Sequence, residues 1–404
     1  MLTQTNSAFA GLIGGWVAVM TPAVLIIALK MREFEESGQP NMLAVTLLTG
    51  WLALMVALVV MGRLSDQLFM RTGSRIALIR TGAPLLVLVS CGLAFSSSSR
   101  WLTVAWILAQ IPAAMIITTA LAVGGGVAQM QKRGLISGLL GAAPIIGLLF
   151  GSVMVGVLTT NTSIMFVLTA LFGALLSVPL MLTKATQQNR EPEDVPRRVA
   201  DHNAHALLWV WVLFLFASFL LSWTTSTTNT FVVEFISQAI QDTDSNISTI
   251  ASIAVAVASS AAIISSISFG TLAKNSRRAQ FTWIAGAAIS ATSIFLLSSA
   301  ESTLVIYIAA LLFGIGFGAA NGVEVSITLV ARPQVNELGQ NLGLLNAITS
   351  APYILVPAIA ALVWQSADGY KVGPMFLISA VTALLGAVIF IAAKLPRTES
   401  QLMK

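Results

Sequence analysis

The chain has 404 residues, of which 56% are hydrophobic and only 9% are charged. Soluble proteins carry about 25% charged residues, so this composition excludes a water-exposed globular surface and requires the bilayer as solvent. The net charge of +5 does not indicate a nucleic-acid partner, because the basic residues fall in short segments between long apolar runs.

Twelve apolar runs predict an all-α integral membrane protein. Each is about 20 residues or longer, enough for a helix to cross a hydrocarbon core of about 30 Å. None has the alternating pattern of a membrane barrel. The first run has no basic residue ahead of it, so we expect a retained span and not a cleaved signal peptide. The runs lie at 8–29, 42–61, 76–95, 101–127, 135–158, 164–183, 206–233, 248–270, 279–298, 303–330, 341–365 and 374–393.

The basic residues are distributed unequally between the two sides of these spans. With a cytoplasmic N-terminus, the outer side keeps only Lys30, Arg32, Arg100 and Lys371. Arg80 lies one turn inside the third run, and the other basic residues fall in inner loops or tails. The positive-inside rule therefore predicts a multi-pass protein of a bacterium-like cytoplasmic (inner) membrane, with both termini in the cytoplasm.

A polar, proline-containing segment divides the chain. It predicts three parts: an N-terminal six-helix half (1–183), a cytoplasmic linker (184–205) and a C-terminal six-helix half (206–404). The halves share matches at nearly one offset, which predicts a parallel repeat. The matches are Trp16 with Trp223 at 207 residues, Gly62-x-Leu64 with Gly270-x-Leu272 at 208, and Gly134-x-x-x-Gly138-Leu139-Leu140 with Gly339-x-x-x-Gly343-Leu344-Leu345 at 205.

The segment between the second and third runs carries a motif, Gly62-Arg63-Leu64-Ser65-Asp66-Gln67-Leu68-Phe69-Met70-Arg71-Thr72-Gly73-Ser74-Arg75. We expect a water-facing loop here. The pattern resembles the loop between the second and third helices of the major facilitator superfamily of secondary transporters. The three residues between Gln67 and Arg71 make it most similar to the glycoside–cation symporters and sucrose-transporter-like members. The resemblance implies the twelve-helix major facilitator fold and transport by alternating access.

Asp66 lies at the C-terminal end of its own helix, where the helix dipole disfavours a carboxylate. The position is favourable if another helix N-terminus lies close, and the resemblance places the start of the eleventh span, near Asn341, beside this segment. We therefore expect a gate formed by Gly62, Asp66, Arg71 and Arg75. The alternative is a simple stop-transfer charge cluster. In the second half Lys274 takes the place of Asp66, so any equivalent gate should be weaker.

The resemblance places the solute path between the halves, lined chiefly by the first, fourth, seventh and tenth spans. The seventh span carries the polar run Ser222–Thr230. Indole rings beside hydroxyl and amide groups suit a sugar ring or another amphipathic solute. The alternatives are that both Trp pack between helices and that the hydroxyls bond to their own helix. The candidate substrate-binding residues are Trp16, Thr21, Gln110, Thr119, Trp223, Thr224, Thr227, Asn229, Asn321, Asn346 and Tyr353.

Glu324 is the only carboxylate well inside a span, about 12 Å of helix from Arg332. A buried acid is costly unless it is paired or protonated, so Glu324 is the candidate proton-coupling residue. The alternative is an ion pair with a loop arginine. Sucrose-type symporters use an acid on the fourth helix, and this chain has none there, which departs from the resemblance.

These features predict a proton-coupled secondary transporter of a small organic solute, a sugar or glycoside by resemblance. The rivals are a proton-driven exporter of amphipathic drugs or metabolites and a non-transporting membrane receptor on the same scaffold. No G-x-x-x-x-G-K-[ST] loop occurs, so ATP-driven pumping is not expected. We expect no enzymatic activity, no cofactor and no metal site. The expected partners are the lipid bilayer, the solute and protons, and we expect a monomer.

Overall fold

The computed structural model describes residues 2–38, 42–127, 133–183, 197–240, 244–332, 334–363, 365–366, 369–370, 372–393 and 395. Within these ranges the protein is helical, and 12 helices are long and apolar enough to cross a membrane. The prediction of an all-α, twelve-span protein is confirmed. The only β-strands in these ranges are β1 (Gln365–Ser366) and β2 (Gly369–Tyr370), which form a two-residue antiparallel ladder.

The helices of the first half are α1 (Leu2–Thr21), α2 (Ile27–Glu36), α3 (Leu43–Thr72), α4 (Ile76–Ala94), α5 (Ser99–Val127), α6 (Arg133–Leu158) and α7 (Thr162–Leu182). Those of the second half are α8 (Arg197–Ala239), α9 (Asp244–Leu272), α10 (Ser276–Ser298), α11 (Thr303–Ala331), α12 (Leu338–Ser350), α13 (Pro352–Val363) and α14 (Val372–Ala392). A π-helical turn, Pro22–Ile26, joins α1 to α2, and a 3-10 turn, Val335–Glu337, precedes α12.

Two compact units account for the packing. The first contains α1 to α5, the end of α6 from Ala143, α7, and residues 333–347 at the start of α12. The second contains the start of α6, up to Ala142, together with α8 to α11, the end of α12, α13 and α14. Each unit thus includes a short helix segment from the other half of the sequence. The division into sequence halves at 184–205 stays a prediction, and most of that linker lies outside the described residues.

Apolar side chains cover the outside of the helices, the reverse of a soluble protein. On α14 the exposed side chains Leu377, Val381, Leu384, Val388 and Ile391 recur every three or four residues. That spacing forms one continuous helix face. The opposite face, which is buried, carries Phe376, Ala380, Ala383, Ala387 and Phe390. This pattern requires hydrocarbon as the surrounding solvent.

The expectation of a water-facing loop over 62–75 is wrong. Helix α3 continues without a break to Thr72, and only three residues separate it from α4. Gly73, with φ of 69°, ends the helix in the left-handed conformation, which glycine adopts without a steric penalty. The charged side chains did not indicate a loop, because a helix satisfies its own backbone in water as well as in lipid, and Asp66 is buried.

The first span is also longer than predicted. It runs from Gln4 to Glu36, because α2 continues α1 through the π-helical turn. Pro22 occupies the first position of that turn, and the Ile27 N–H donates to the Pro22 carbonyl. Proline has no N–H to complete the regular helical ladder, which accounts for the change of register at this point.

Candidate functional site

The Asp66 carboxylate is the centre of a charged contact inside the first unit. It accepts hydrogen bonds from the backbone N–H groups of Gly339, at 3.0 Å, and Gln340, at 2.7 Å. Both groups lie in the first turn of α12, where helical N–H donors have no partner within their own helix. The predicted approach of Asp66 to the start of the eleventh span is confirmed.

Arg75 completes this contact. Its guanidinium donates to Asp66 at 2.8 Å, and it lies over the Phe69 ring at 4.0 Å from the centroid. Burial lowers the pKa of Arg75, and the bond to Asp66 opposes that shift. Arg71, the other predicted gate residue of this segment, is exposed and forms no ion pair in the part of the chain that the structure describes.

Glycines allow the two helices to approach closely enough for this contact. A Cβ on Gly62 would lie 2.5 Å from the Gly339 carbonyl oxygen, and one on Gly339 would lie 2.8 Å from the Gly62 oxygen. Gly343 is equally close to α3, since a Cβ on Gly343 would lie 2.5 Å from the Leu58 carbonyl oxygen. Any larger side chain at these positions would push α12 away from Asp66.

Inside the second unit, α6 and α9 make a related contact. Gly134 lies against the Gly270 carbonyl, and a Cβ on Gly138 would be 2.6 Å from the Ser266 oxygen. The Ser266 hydroxyl donates to the Gly138 carbonyl at 2.8 Å. Lys274, which the repeat aligns with Asp66, is exposed.

Glu324 lies on α11 in the second unit and is half-buried. Its carboxyl group interacts with the indole N–H of Trp283, on α10, and the hydroxyl of Ser218, on α8. Both groups are fully buried, and neither has hydrogen-bond geometry with any described residue, so they lie near the carboxyl group without a well-formed bond to it. Trp283 packs edge-on against Phe390 and Phe214, with centroids 5.1 and 6.0 Å away.

The two groups that the structure places beside the Glu324 carboxyl are therefore neutral, the Trp283 indole and the Ser218 hydroxyl. Within the described ranges it forms no ion pair, since the two ion pairs found there join Lys30 to Glu33 and Arg75 to Asp66. The alternative prediction, an ion pair between Glu324 and a loop arginine, is not found among the described residues. Such a carboxyl group can carry a proton without competing with a fixed cation.

Much of the polar run on α8 faces neighbouring helices. The Thr227 hydroxyl accepts from Ser379 of α14 at 2.7 Å, and Thr224 donates to the Ser379 carbonyl at 3.4 Å. Ser226 donates to the Pro352 carbonyl at 2.9 Å. These three residues are buried, so their hydroxyls join helices to one another. A binding role for Thr224 and Thr227 stays a prediction.

A second part of the same run is accessible. Asn229 is exposed, and its amide donates to the Tyr353 hydroxyl at 3.3 Å. Trp223 is half-buried and packs edge-on against Phe219 at 6.2 Å. Within the second unit, Trp223, Asn229 and Tyr353 are the predicted binding residues that keep accessible surface beside aromatic and amide groups.

The candidates on α1 and α5 are buried inside the first unit. Trp16 packs on Gly147 of α6, and a Cβ added to Gly147 would lie 2.9 Å from the Trp16 Cβ. Thr21 packs on Gly151. Gln110 donates to the Trp106 carbonyl at 3.1 Å. Among the described residues no partner is found for the Thr21 hydroxyl, the Gln110 carbonyl or the Thr119 hydroxyl.

The remaining candidates are half-buried. Asn346 donates to the Leu342 carbonyl of its own helix at 2.9 Å. The backbone carbonyl of Asn321 lies against Gly141 of α6. The structure does not bring all eleven predicted binding residues together in one unit, and their roles in binding stay predictions. The described residues contain no group of three or more His, Cys, Asp or Glu side chains that could hold a metal ion.

Sequence reasoning missed Ser218, Trp283 and Ser379. All three are fully buried and are distant in sequence from the residues that they contact. Their residue types gave no signal, because Ser and Trp are common in membrane helices. Only the packing of α8, α10 and α14 identifies them as partners of Glu324 and of the polar run.

The chain resembles known membrane transporters in its sequence profile and in its fold. The sequence profile described as Major Facilitator Superfamily matches residues 8–335. No curated protein matches the sequence significantly.

Solved structures share the fold over nearly the whole chain. The human organic anion transporter TETRAN has a TM-score of 0.72 at 13% identity, covering 96% of this chain and 99% of its own. The proton:xylose symporter XylE, solved with 6-bromo-6-deoxy-D-glucose, has 0.70 at 15%, covering 98% and 96%. A bacterial homologue of the iron transporter ferroportin, in an outward-facing state, has 0.65 at 14%, covering 96% and 98%.

Proposed function

The chain belongs to the Major Facilitator Superfamily, and from this premise we propose that it couples the movement of a small organic solute to protons through Glu324. The family and the transporters that share its fold point to a non-enzymatic transporter. Alternating access would expose one solute site to each side of the membrane in turn.

The observation that carries the proposal is the environment of Glu324. A carboxyl group inside a membrane protein is a functional candidate because its charged form is costly in hydrocarbon. Glu324 has neutral donors, Trp283 and Ser218, and no fixed cation in the described part of the chain. A proton can therefore bind to Glu324 and leave it without breaking an ion pair. Solute binding would shift the balance between the protonated and the ionised form of Glu324.

We further propose a solute with ring hydroxyl groups, such as a sugar or glycoside. Trp223, Asn229 and Tyr353 offer an indole face, an amide and a phenol on accessible surface. An apolar ring face beside hydroxyl groups matches this set of donors and flat surfaces. The resemblance of the Gly62–Arg75 segment to glycoside–cation symporters supports the same class.

The Asp66 contact is proposed as the gate. Its bonds to Gly339, Gln340 and Arg75 are hydrogen bonds to an ionised carboxylate, which are about twice as strong as neutral ones. Because Asp66 reaches the N-terminal end of α12 from a different span, breaking these bonds would release α12 without unfolding either helix.

A second candidate is proton-driven export of amphipathic cations. It is favoured by the aromatic cluster of Phe214, Trp283 and Phe390, in which Trp283 lies beside Glu324, because aromatic faces and a carboxylate both attract organic cations. These rings are fully buried, so a cation would reach them only after the helices separate.

The test is proton movement in liposomes that contain the purified protein and an enclosed pH dye. Sugars and lipophilic cations such as tetraphenylphosphonium are added one at a time to the wild type, to Glu324→Gln and to Glu234→Gln. Glu234 is the matched control, because it lies at the end of α8 and pairs with Gln238 at 2.7 Å.

We expect solute-dependent proton flux in the wild type and in Glu234→Gln, and none in Glu324→Gln. A flux with sugars would support uptake-type symport, whereas a flux with cations would favour the export candidate. Undiminished flux in Glu324→Gln would refute the role of Glu324. If folded wild-type protein moves no tested solute, the receptor alternative gains support.

A further inference from the structure

Arg80 is a charged side chain on a lipid-facing helix surface. It lies on the exposed face of α4 with Ala77, Thr81, Pro84 and Leu88, and Leu88 is 69% exposed. These positions recur every three or four residues, so they form one stripe along the helix. Farther along α4 from Arg80, at Pro84 and Leu88, the stripe is apolar, as expected for a surface in contact with acyl chains.

The neighbouring helix α7 presents a similar apolar stripe. Leu171, Leu175, Val178 and Leu182 are exposed on it, and Leu182 is 75% exposed. The Arg80 guanidinium bridges the two stripes by donating to the Met181 carbonyl of α7 through Nε, at 3.2 Å, and through a terminal nitrogen, at 3.1 Å. The last carbonyls of a helix have no partner within it and carry partial negative charge, so this contact holds the arginine in place.

We expect Arg80 to lie at the boundary between headgroups and acyl chains, because it is close to the ends of two membrane-spanning helices. It is four residues after Ile76, where α4 begins, or about 6 Å along the helix axis. Met181 is next to the last residue of α7, so both helices reach their ends at this level. Arginine at such a position extends its head toward the phosphates while its stem stays in hydrocarbon.

The positive charge of Arg80 is not neutralised by the protein. A guanidinium has five N–H donors, and two of them are occupied by Met181. Among the described residues Arg80 has no carboxylate partner. The side chain is therefore oriented, exposed and charged at the depth of lipid phosphates.

We propose that Arg80 and the groove between α4 and α7 bind the phosphate of an anionic lipid, with its acyl chains lying along the two apolar stripes. The occupant is a lipid and not free phosphate, because the surface on the membrane side of the guanidinium consists of exposed leucine, valine and proline. The predicted orientation places this end of α4 in the cytoplasmic leaflet, where anionic lipids attract basic side chains.

The test is native mass spectrometry of the full-length protein in detergent, titrated with phosphatidylglycerol or with phosphatidylcholine of the same chains. We expect the wild type to prefer phosphatidylglycerol. Arg80→Gln should bind this lipid about fivefold more weakly, because that factor corresponds to the attraction of one basic side chain to an anionic lipid surface. Arg80→Lys keeps the charge and should retain most of the preference. Arg100→Gln is the matched control, because it removes an exposed charge at the start of α5, and should leave binding unchanged.

Equal binding by the wild type and Arg80→Gln would overturn the proposal, as would an equal loss in Arg100→Gln. Inorganic phosphate is added as a competitor. If it displaces phosphatidylglycerol from the wild type at equal concentration, the site recognises a soluble anion and the lipid assignment is wrong. If Arg80→Gln does not fold, the comparison of the two lipids on the wild type decides, and the absence of a preference refutes the site.

Discussion

In the first compact unit, α3 and α12 approach each other through Gly62 and Gly339, and in the second unit α9 and α6 approach through Gly270 and Gly134. The repeat relates these pairs residue by residue. Gly339 and Gly343 face the carbonyls of Gly62 and Leu58, while Gly134 and Gly138 face those of Gly270 and Ser266. The backbone contact is therefore the same in both units.

The polar groups around the two contacts differ. Asp66 accepts two backbone N–H bonds from α12 and one from Arg75. At the equivalent position of the second unit Lys274 is exposed, and the contact has the neutral bond from Ser266 to Gly138 instead. Helix α3 also runs on to Thr72, whereas α9 ends at Leu272, the repeat partner of Leu64.

The comparison separates two properties of a helix contact. Glycine spacing sets how closely two helices approach, and it is shared by both units. A charged group bonded across the contact adds to the free energy that separates the joined helices from the parted ones, and Asp66 supplies one in the first unit. We therefore expect the α3–α12 contact to be the one that changes during transport.

Replacing Asp66 should have the largest effect. Asp66→Asn removes the charge that accepts three hydrogen bonds, one of them from the buried Arg75 guanidinium. Breaking a buried ion pair on one side costs about 3–5 kcal/mol, so we expect a strongly reduced melting temperature in detergent and loss of transport. Thermal melts and the liposome assay measure both effects.

Lys274→Asn is the matched control for this change. Because Lys274 is exposed, we expect its melting temperature to stay near that of the wild type. Equal destabilisation by the two variants would contradict the difference between the contacts.

Adding a methyl group at the glycine contacts should have an intermediate effect in both units. A Cβ on Gly62 would meet the Gly339 oxygen at 2.5 Å, and one on Gly270 would meet the Gly138 Cα at 2.6 Å. Overpacking typically costs about 1–3 kcal/mol, so Gly62→Ala and Gly270→Ala should both lower the melting temperature.

Gly92→Ala tests whether the loss comes from the contact. The nearest atom to its added Cβ is the Ala105 Cβ at 4.0 Å, and alanine favours a helix over glycine by about 1 kcal/mol. This variant should be neutral or slightly more stable. A loss as large as that of Gly62→Ala would refute the close-approach explanation.

The smallest effect is expected at Ser266. Ser266→Ala removes one hydroxyl bond to the Gly138 carbonyl, and such bonds between membrane helices contribute about 0.6 kcal/mol. We expect a slight reduction in melting temperature and normal transport. A loss of transport comparable to that of Asp66→Asn would show that the second contact is also a gate.

The sequence predicts the twelve spans because hydrocarbon imposes a minimum length on every apolar run. It also predicts the approach of Asp66 to α12, since a carboxylate at a helix C-terminus needs a donor from elsewhere. The sequence wrongly predicts a loop over the Gly62–Arg75 segment, because charge indicates exposure to water but does not determine backbone conformation. The π-helical turn at Pro22 has no signal other than the proline.

The candidate site could be predicted less completely. Glu324 is identifiable as the only acid well inside a span, whereas its partners Trp283 and Ser218 depend on how α8, α10 and α11 pack. The polar run Ser222–Thr230 is visible in the sequence, but its pattern does not separate hydroxyls that bond to α14 from groups on accessible surface. That division depends on helix rotation, which small and polar residues specify weakly.

The most direct test of proton coupling compares uphill solute accumulation with solute exchange in liposomes for Glu324→Gln. An amide keeps the shape of the carboxyl group but cannot take up the coupling proton. We expect the variant to exchange labelled for unlabelled solute at a rate near that of the wild type, yet to fail to accumulate solute against a gradient when a pH difference is imposed. Accumulation at the wild-type level would contradict the assignment of proton coupling to Glu324.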